Sequence, residues 1–285
     1  MAGQEQDERV VLITPRGQAG EYWRRCWEYR ELLWFLARRD LVVRYRQTLA
    51  GILWLFARPA SQVVIFSVLY GHLARFPDDG LPYPLLAFSG VVAWFFFAAI
   101  VNQCAIALTN NVNLITKVNF PRILLPVGTI APNLIDLGLN LIALMVLMGL
   151  YGYAPSWRLL LVPVPLLLIA LNGLGLGLWF SAGCVRYRDF RQLAPFVLQL
   201  LFMFSPVGFS STLIRERFSG FWLWVYYANP LASAIDLFRW CTHPAGYVPA
   251  QHLDQLVISL ATGVLLLSTG VAFFRRSERS FADVI

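Results

Sequence analysis

Residues 84–108 read PLLAFSGVVAWFFFAAIVNQCAIAL, an apolar run long enough to cross, as one helix, a hydrocarbon core of about 30 Å. Comparable runs occupy 50–73, 123–150, 159–184, 194–214 and 253–274, which predicts six transmembrane helices. The turn formers stand between them: Pro77, Gly80, Pro82 and Pro84 after the first run, Pro155 after the third, and Asn229-Pro230 in the longest connection. Pro206 lies inside the fifth run and is expected to kink that span rather than end it. Composition agrees with this layout, because 58% of the 285 residues are hydrophobic and 14% charged, against about 45–50% and about 25% in a soluble domain. The expected fold class is an all-α integral membrane protein.

The charge pattern sets an expected orientation, since cytoplasmic flanks retain Lys and Arg more than translocated ones do. With the N-terminus inside, eighteen of the 23 basic residues fall on cytoplasmic segments. The outer segments keep five, Arg75, Arg158, Arg215, Arg217 and Arg239. Both ends are therefore expected in the cytoplasm of a bacterial-type inner membrane. Residues 1–20 are polar and lack apolar periodicity, which suits a flexible cytoplasmic tail. Residues 21–48 mix Trp23, Trp27, Trp34 and Tyr45 with seven arginines, a mixture suited to an interfacial helix. That reading rests on composition: Leu32, Leu36 and Val43 share one side of a helix, but Trp34, Leu41 and Tyr45 share the opposite one. Residues 49–285 form the six-span domain.

Several function classes are excluded or disfavoured by missing chemistry. Lys117 is the only lysine and stands in Thr116-Lys117-Val118, so no phosphate loop ending in Gly-Lys-Ser/Thr is present. His72, His243 and His252 do not form HExxH, and no serine lies in GxSxG. Cys26, Cys104, Cys184 and Cys241 are isolated, so neither a disulfide nor a zinc site is expected. The basic excess is arginine without a lysine-rich tail and is assigned to membrane topology, not to nucleic acid. An ion-coupled carrier would want paired intramembrane charges, of which Asp136 is the single sign.

Two polar interruptions remain, TNNVNLITKVNFPR over Thr109–Arg122 and VRYRDFRQLA over Val185–Ala194. They read either as positive-inside loops or as docking surfaces. In the first, Asn113, Lys117 and Phe120 are expected on one helical side before Pro121 starts a new helix. In the second, Arg186, Arg188, Asp189 and Arg191 offer both signs of charge. Within the third run, Asn133, Asp136 and Asn140 share a helical face, which serves either interhelical hydrogen bonding or a translocation path. Gly173 and Gly177 have the GxxxG spacing that lets helices approach closely. The aromatic clusters read as lipid-interface belt and core, or as faces on which sugar rings could stack.

The stretches NLITKVNFPRILLP, CVRYRDFRQLAPFVLQLLFMFSPVGF and ANPLASAIDLFRW, with RDLVVRYRQTLAGILWLFARP before them, resemble the permeases of ABC exporters for polysaccharides. The resemblance covers roughly Trp27 to the C-terminus. It implies a transport subunit rather than an enzyme, moving a lipid-linked polysaccharide such as O-antigen, capsule or teichoic acid out of the cytoplasm. It implies a homodimer joined to two copies of an ATP-binding subunit, which would hold ATP and Mg; this chain needs no cofactor. Coupling to that subunit would fall to Asn113, Lys117, Phe120, Arg122, Arg186, Arg188, Asp189 and Arg191. First and fifth spans would contribute the substrate path, with Tyr70, Phe202 and Ser205 as lining candidates beside Asp136. Arg215–Gln251 resembles the short re-entrant helices of the family, with Trp222, Tyr226, Asn229 and Pro230 as an outer gate. A sister permease for a drug or small lipid is the alternative.

Overall fold

The computed structural model describes residues 19–46, 49–187, 189–244, 253–278 and 281. The expected tail over 1–20 thus lies almost wholly outside the described residues, and Ala19–Gly20 already open the first helix. Among the described residues the regular structure is all helix, joined by turns and loops. The segment expected as one interfacial helix holds two, α1 (Ala19–Glu28) and α2 (Arg30–Arg46). Next come α3 (Leu49–Phe66), which continues into a π-helical stretch over Ser67–Leu73, and α4 (Tyr83–Ala107). After a short 3-10 turn come α5 (Val112–Lys117), α6 (Leu124–Gly128) and α7 (Ile130–Leu150). A second 3-10 turn leads into α8 (Pro163–Arg186), followed by α9 (Phe190–Phe204). Three short helices, α10 (Ser211–Arg217), α11 (Phe221–Tyr227) and α12 (Pro230–Thr242), precede α13 (Leu253–Glu278).

Local sequence explains most of these boundaries. Pro84 and Pro163 sit in the first turns of α4 and α8, where a missing N–H costs nothing. Asn229 caps α12 by accepting the Leu231 N–H at 3.0 Å, with Pro230 as its first residue. Gly152, at φ +77°, ends the turn after α7 in the left-handed conformation that glycine adopts without strain.

Four helical runs among the described residues are long and apolar enough to cross a membrane: Tyr83–Ala107, Leu124–Leu150, Trp157–Arg186 and Asp254–Glu278. They coincide with four of the six expected spans. The first expected span is an unbroken helical run from Leu49 to Leu73. The fifth is not a single helix. Its α9 has 15 residues, about 22 Å at 1.5 Å per residue, and stops at Phe204. Ser205 is extended (φ −105°, ψ 149°), because the ring of Pro206 disfavours the helical region for the residue before it. The expectation that Pro206 would only kink this span is therefore corrected.

The bundle is organised around α4, which is apolar on every side and buried at most positions, as a helix without a polar face must be. It packs most extensively on α8, and α8 in turn on α13. The glycines of α8 divide between these two neighbours. Gly173 and Gly177 lie against Ile100 and Cys104 of α4, while Gly175 lies against the Leu267 backbone of α13. The GxxxG pair thus serves close packing as expected, and the intervening glycine serves a second contact. At the end of the bundle bearing Thr109–Arg122, a smaller core gathers Leu36, Leu108, Phe120, Leu124, Phe274 and Phe281.

Candidate functional site

The polar stripe of α7 faces a cavity of about 560 Å³ bounded by α2, α3, α4 and α7. Asn133, Asp136 and Asn140 all line it, so the face read from their spacing is real. Opposite stand Arg44 of α2, Arg58 of α3, and Asn102 and Gln103 of α4. Arg44 forms an ion pair with Asp136 and donates to Asn133 Oδ1 at 3.3 Å. Asn133 and Gln103 exchange amide hydrogen bonds of 3.0 and 3.2 Å, and Asn133 also donates to the Thr129 carbonyl at 2.8 Å. A second cavity of about 500 Å³ shares Arg44 and Gln103 as walls and continues past Arg39, Asp40 and Asn111. A third, of about 390 Å³, shares Arg39, Asn110 and Asn111 and reaches Asn113 and Lys117. Divided by these shared walls, the three cavities lie in a row, a polar furrow from the Thr109–Arg122 connection towards the middle of α7.

The Arg44–Asp136 pair keeps roughly a quarter of its side-chain surface open, with exposures of 32% and 21%. Solvent screening therefore discounts it relative to a fully buried pair. Removing either partner alone, as Arg44→Leu or Asp136→Leu, is expected to destabilise the protein by about 1–3 kcal/mol, and the double variant by less than the sum. Thermal unfolding of the four proteins in detergent measures this coupling; strictly additive shifts would show that the pair is not an energetic unit.

The opposite end of the bundle is built on the broken backbone after α9. Two of its carbonyls are satisfied by a side chain from α12: Arg239 donates to Phe209 O at 3.0 Å and Val207 O at 3.1 Å, and also to Leu86 O of α4 at 3.2 Å. Tyr83 donates to the Gly208 carbonyl, and Ser210 to Asp79 in the turn before α4. Arg239 is fully buried, with Asp236 3.9 Å away one turn earlier. The charge pattern places it among the outer flanking arginines; the structure makes it an internal anchor. Irregular backbone can persist in an apolar surrounding only where protein supplies such partners.

The expected substrate-path residues divide between the two ends. Asp136 lies in the furrow. Tyr70 and Phe202 both stack on Phe66, at 5.3 and 5.8 Å between ring centres, and Phe202 also meets Trp94 at 5.2 Å. Ser205 is buried and accepts a 2.8 Å hydrogen bond from Asn229, so a path candidate and a gate candidate touch. Of the other gate candidates, Tyr226 packs edge-on against Tyr227 at 5.0 Å, Pro230 starts α12, and Trp222 is exposed on α11.

The two polar connections meet. Arg191 donates to Thr109 Oγ1 at 3.0 Å, which links the start of α9 to the end of α4. Asn113 and Lys117 are exposed on α5, and Arg186 and Asp189 are exposed in the second connection. Arg188 lies outside the described residues. Phe120 departs from expectation: α5 ends at Lys117, Val118 is extended, and Phe120 turns into the smaller core instead of sharing a helical side with Asn113 and Lys117. Val118 is extended only three residues before Pro121, whose ring excludes the helical region for Phe120. Arg122 is held by the end of α13: its backbone N–H donates to Glu278 Oε1 at 2.7 Å and its side chain to the Glu278 carbonyl at 2.8 Å. The other Glu278 oxygen accepts from Tyr22 of α1 at 2.8 Å. Burial first, and then the Glu278 charge, hold the Tyr22 phenol above its ordinary range, so it remains a donor.

Residues 31–242 match the model of the ABC-2 type transporter family. The chain belongs to that family. Among its relatives, the O-antigen export system permease protein RfbA of Myxococcus xanthus is 28% identical over 263 residues, 92% of this chain and 98% of the relative. A Klebsiella pneumoniae protein of the same name is 25% identical, over 90% and 95%. The polysialic acid transport protein KpsM of Escherichia coli is 23% identical, over 85% and 92%.

The matched part of this ABC-2 type transporter takes in the furrow, both polar connections and Arg239, and ends before α13. Sequence reasoning missed two of its structural partners. Arg44 pairs with a residue 92 positions away, a distance no periodicity reports. Arg239 could have been found, because Asp236 and Arg239 stand at i, i+3 within an otherwise apolar helix. Among the described residues, no group of three His, Cys, Asp or Glu is placed to hold a metal ion.

Proposed function

We propose that this ABC-2 type transporter is the permease subunit of an ATP-driven exporter that moves a lipid-linked polysaccharide from the cytoplasm across the inner membrane. The observation that carries this reading is the near full-length similarity to relatives named for O-antigen export and polysialic acid transport. The proposal includes six spans with both ends in the cytoplasm, an interfacial segment over 21–48 and a permease domain over 49–285. Two copies of the chain would form the path at their twofold axis, with Tyr70, Asp136, Phe202 and Ser205 contributing to it. Two copies of an ATP-binding subunit, carrying ATP and Mg, would drive it.

Coupling falls to Asn113, Lys117, Phe120, Arg122, Arg186, Arg188, Asp189 and Arg191. The Arg191–Thr109 hydrogen bond supports this, since a push on either connection reaches the other. Glu278 would pass the motion to α1 and α13, because one carboxylate joins both to Arg122. Closure of the ATPase dimer would then shift helices as rigid bodies. At the outer face Trp222, Tyr226, Asn229 and Pro230 would close the mouth between cycles.

The test is co-purification with an ATP-binding subunit, followed by exchange of charge at the second connection. Arg188→Asp with Asp189→Arg is expected to lower permease-stimulated ATPase activity and polymer export about tenfold, while the variant elutes as a folded protein; the loss of a charge-assisted contact is of that order. Finding no ATPase partner would overturn the function. Unchanged stimulation and export in the variant would remove the second connection from the coupling surface.

A further inference from the structure

The cavity between α3, α4 and α7 has a charge that no described residue balances. Arg58 stands at the tenth residue of α3, about 13 Å along the helix axis from its start. It lines the 560 Å³ cavity, its side chain is exposed, and no carboxylate among the described residues lies within ion-pair distance of it. An arginine inside an apolar helical run is costly unless it meets water or an anion. Among the described residues of the wall the one carboxylate, Asp136, is engaged by Arg44. Two guanidinium groups thus stand with one carboxylate, and these described residues give the wall a net positive charge.

The remaining walls are of two chemistries. Asn102 and Gln103 add amide groups to the arginines, whereas Trp54, one helical turn before Arg58, and Phe95 and Phe96 add aromatic surface. Trp54 is 62% exposed, so apolar surface is open to a ligand or a lipid chain. A ligand suited to both chemistries is an amphiphile with an anionic head. Several guanidinium and amide donors lining one cavity match the three or more acceptor oxygens of a phosphoryl group better than the two of a carboxylate.

We infer that the cavity between α3, α4 and α7 binds the phosphoryl headgroup of a long-chain lipid, with Arg58 as its principal charge partner and the chain lying along Trp54 and Phe95. Arg44, fixed by Asp136 and Asn133, positions the second charge. This deepens the exporter reading and rests on it for direction. The furrow past Arg44 and Arg39 leads to the Thr109–Arg122 connection, so the site would hold the lipid end of the cargo on the cytoplasmic side.

The test uses the full-length chain in phosphatidylcholine bilayers and a photoreactive long-chain alkyl diphosphate as the probe. Wild type is expected to be labelled on α3 or α4, with unlabelled alkyl diphosphate competing and the alkanol of the same chain length not. Arg58→Gln is expected to reduce labelling about tenfold and Arg58→Lys by less, because a point charge replaces a fork of donors. Arg58→Glu, measured in parallel, should abolish labelling while elution and the thermal midpoint stay at wild-type values. Equal labelling of wild type and Arg58→Gln would overturn the site, as would equal competition by the alkanol. Equal competition by inorganic diphosphate would mean that the anion alone is bound, and equal competition by phosphatidylglycerol that any anionic lipid is; either result overturns the assignment. No step requires the ATPase. Failed labelling with an ATPase partner found sinks this inference alone, and successful labelling with no such partner sinks the exporter reading while leaving the site.

Discussion

Arg239→Leu is expected to unfold the end of the bundle around the α9–α10 connection, with a loss of stability of about 3–5 kcal/mol. The side chain is fully buried and supplies three hydrogen bonds to carbonyls of Leu86, Val207 and Phe209. Leucine restores none of them, and the carbonyls of a broken helix have no water to turn to in an apolar surrounding. Asp236 would also be left as a buried carboxylate without its guanidinium neighbour. Arg239→Lys should recover part of the loss, since an ammonium reaches fewer carbonyls than a fork of five donors. Gly90→Ala tests the same contact from the other side: its Cβ would fall against the Val207 carbonyl and 2.7 Å from Arg239 Nη2. Because both changes strike one contact, Gly90→Ala and Arg239→Leu together should cost less than their sum. Thermal unfolding in detergent reads all of these. A midpoint for Arg239→Leu near that of wild type would show that the broken segment holds without its anchor.

The second large effect is expected where α8 and α13 touch backbone to backbone. A Cβ at Gly270 would collide with the Gly175 carbonyl, and one at Gly175 would lie 2.9 Å from Leu267 Cα and N. Neither neighbour is a flexible side chain, so relief requires the helices to move apart. Gly270→Ala should cost about 1–3 kcal/mol, and Gly270→Leu more, enough to deplete the folded protein recovered from membranes. Gly138 of α7 is the internal control, because a Cβ there meets nothing within 4 Å. Gly138→Ala should be neutral or slightly stabilising, by up to about 1 kcal/mol, since alanine loses less backbone entropy in a helix. The comparison is made by size-exclusion yield and thermal midpoint. Equal tolerance of Gly270→Leu and Gly138→Ala would show that the contact is not tight.

Both effects concern positions whose residue type was plain but whose neighbours were not. The three glycines of α8 announced close packing, yet spacing alone could not say that Gly173 and Gly177 face α4 while Gly175 faces α13. The stripe of Asn133, Asp136 and Asn140 was legible because helical periodicity places i, i+3 and i+4 residues on one face. Its partners Arg44 and Gln103 were not, since they come from other helices. Phe120 shows the opposite failure. A helical side was drawn through it, but α5 stops at Lys117 and its ring joins the smaller core.

The sequence by itself determined that this is a helical chain with long apolar runs, roughly where four of the membrane-length runs lie, and that two polar connections interrupt them. These follow from local causes: run length, turn formers, and the constraint that proline and glycine place on their own neighbourhoods. Tertiary structure decided the rest. Pro206 ends the helix of the fifth run at Ser205, but the irregular stretch that follows persists because Arg239, more than thirty residues later, donates to its carbonyls. Without that partner the lowest-cost state of an apolar segment is an unbroken helix, which is what the run alone suggests. The furrow likewise exists only because α2, α3, α4 and α7 converge, and an arginine such as Arg58 becomes a candidate ligand only once the charges that fail to reach it are known.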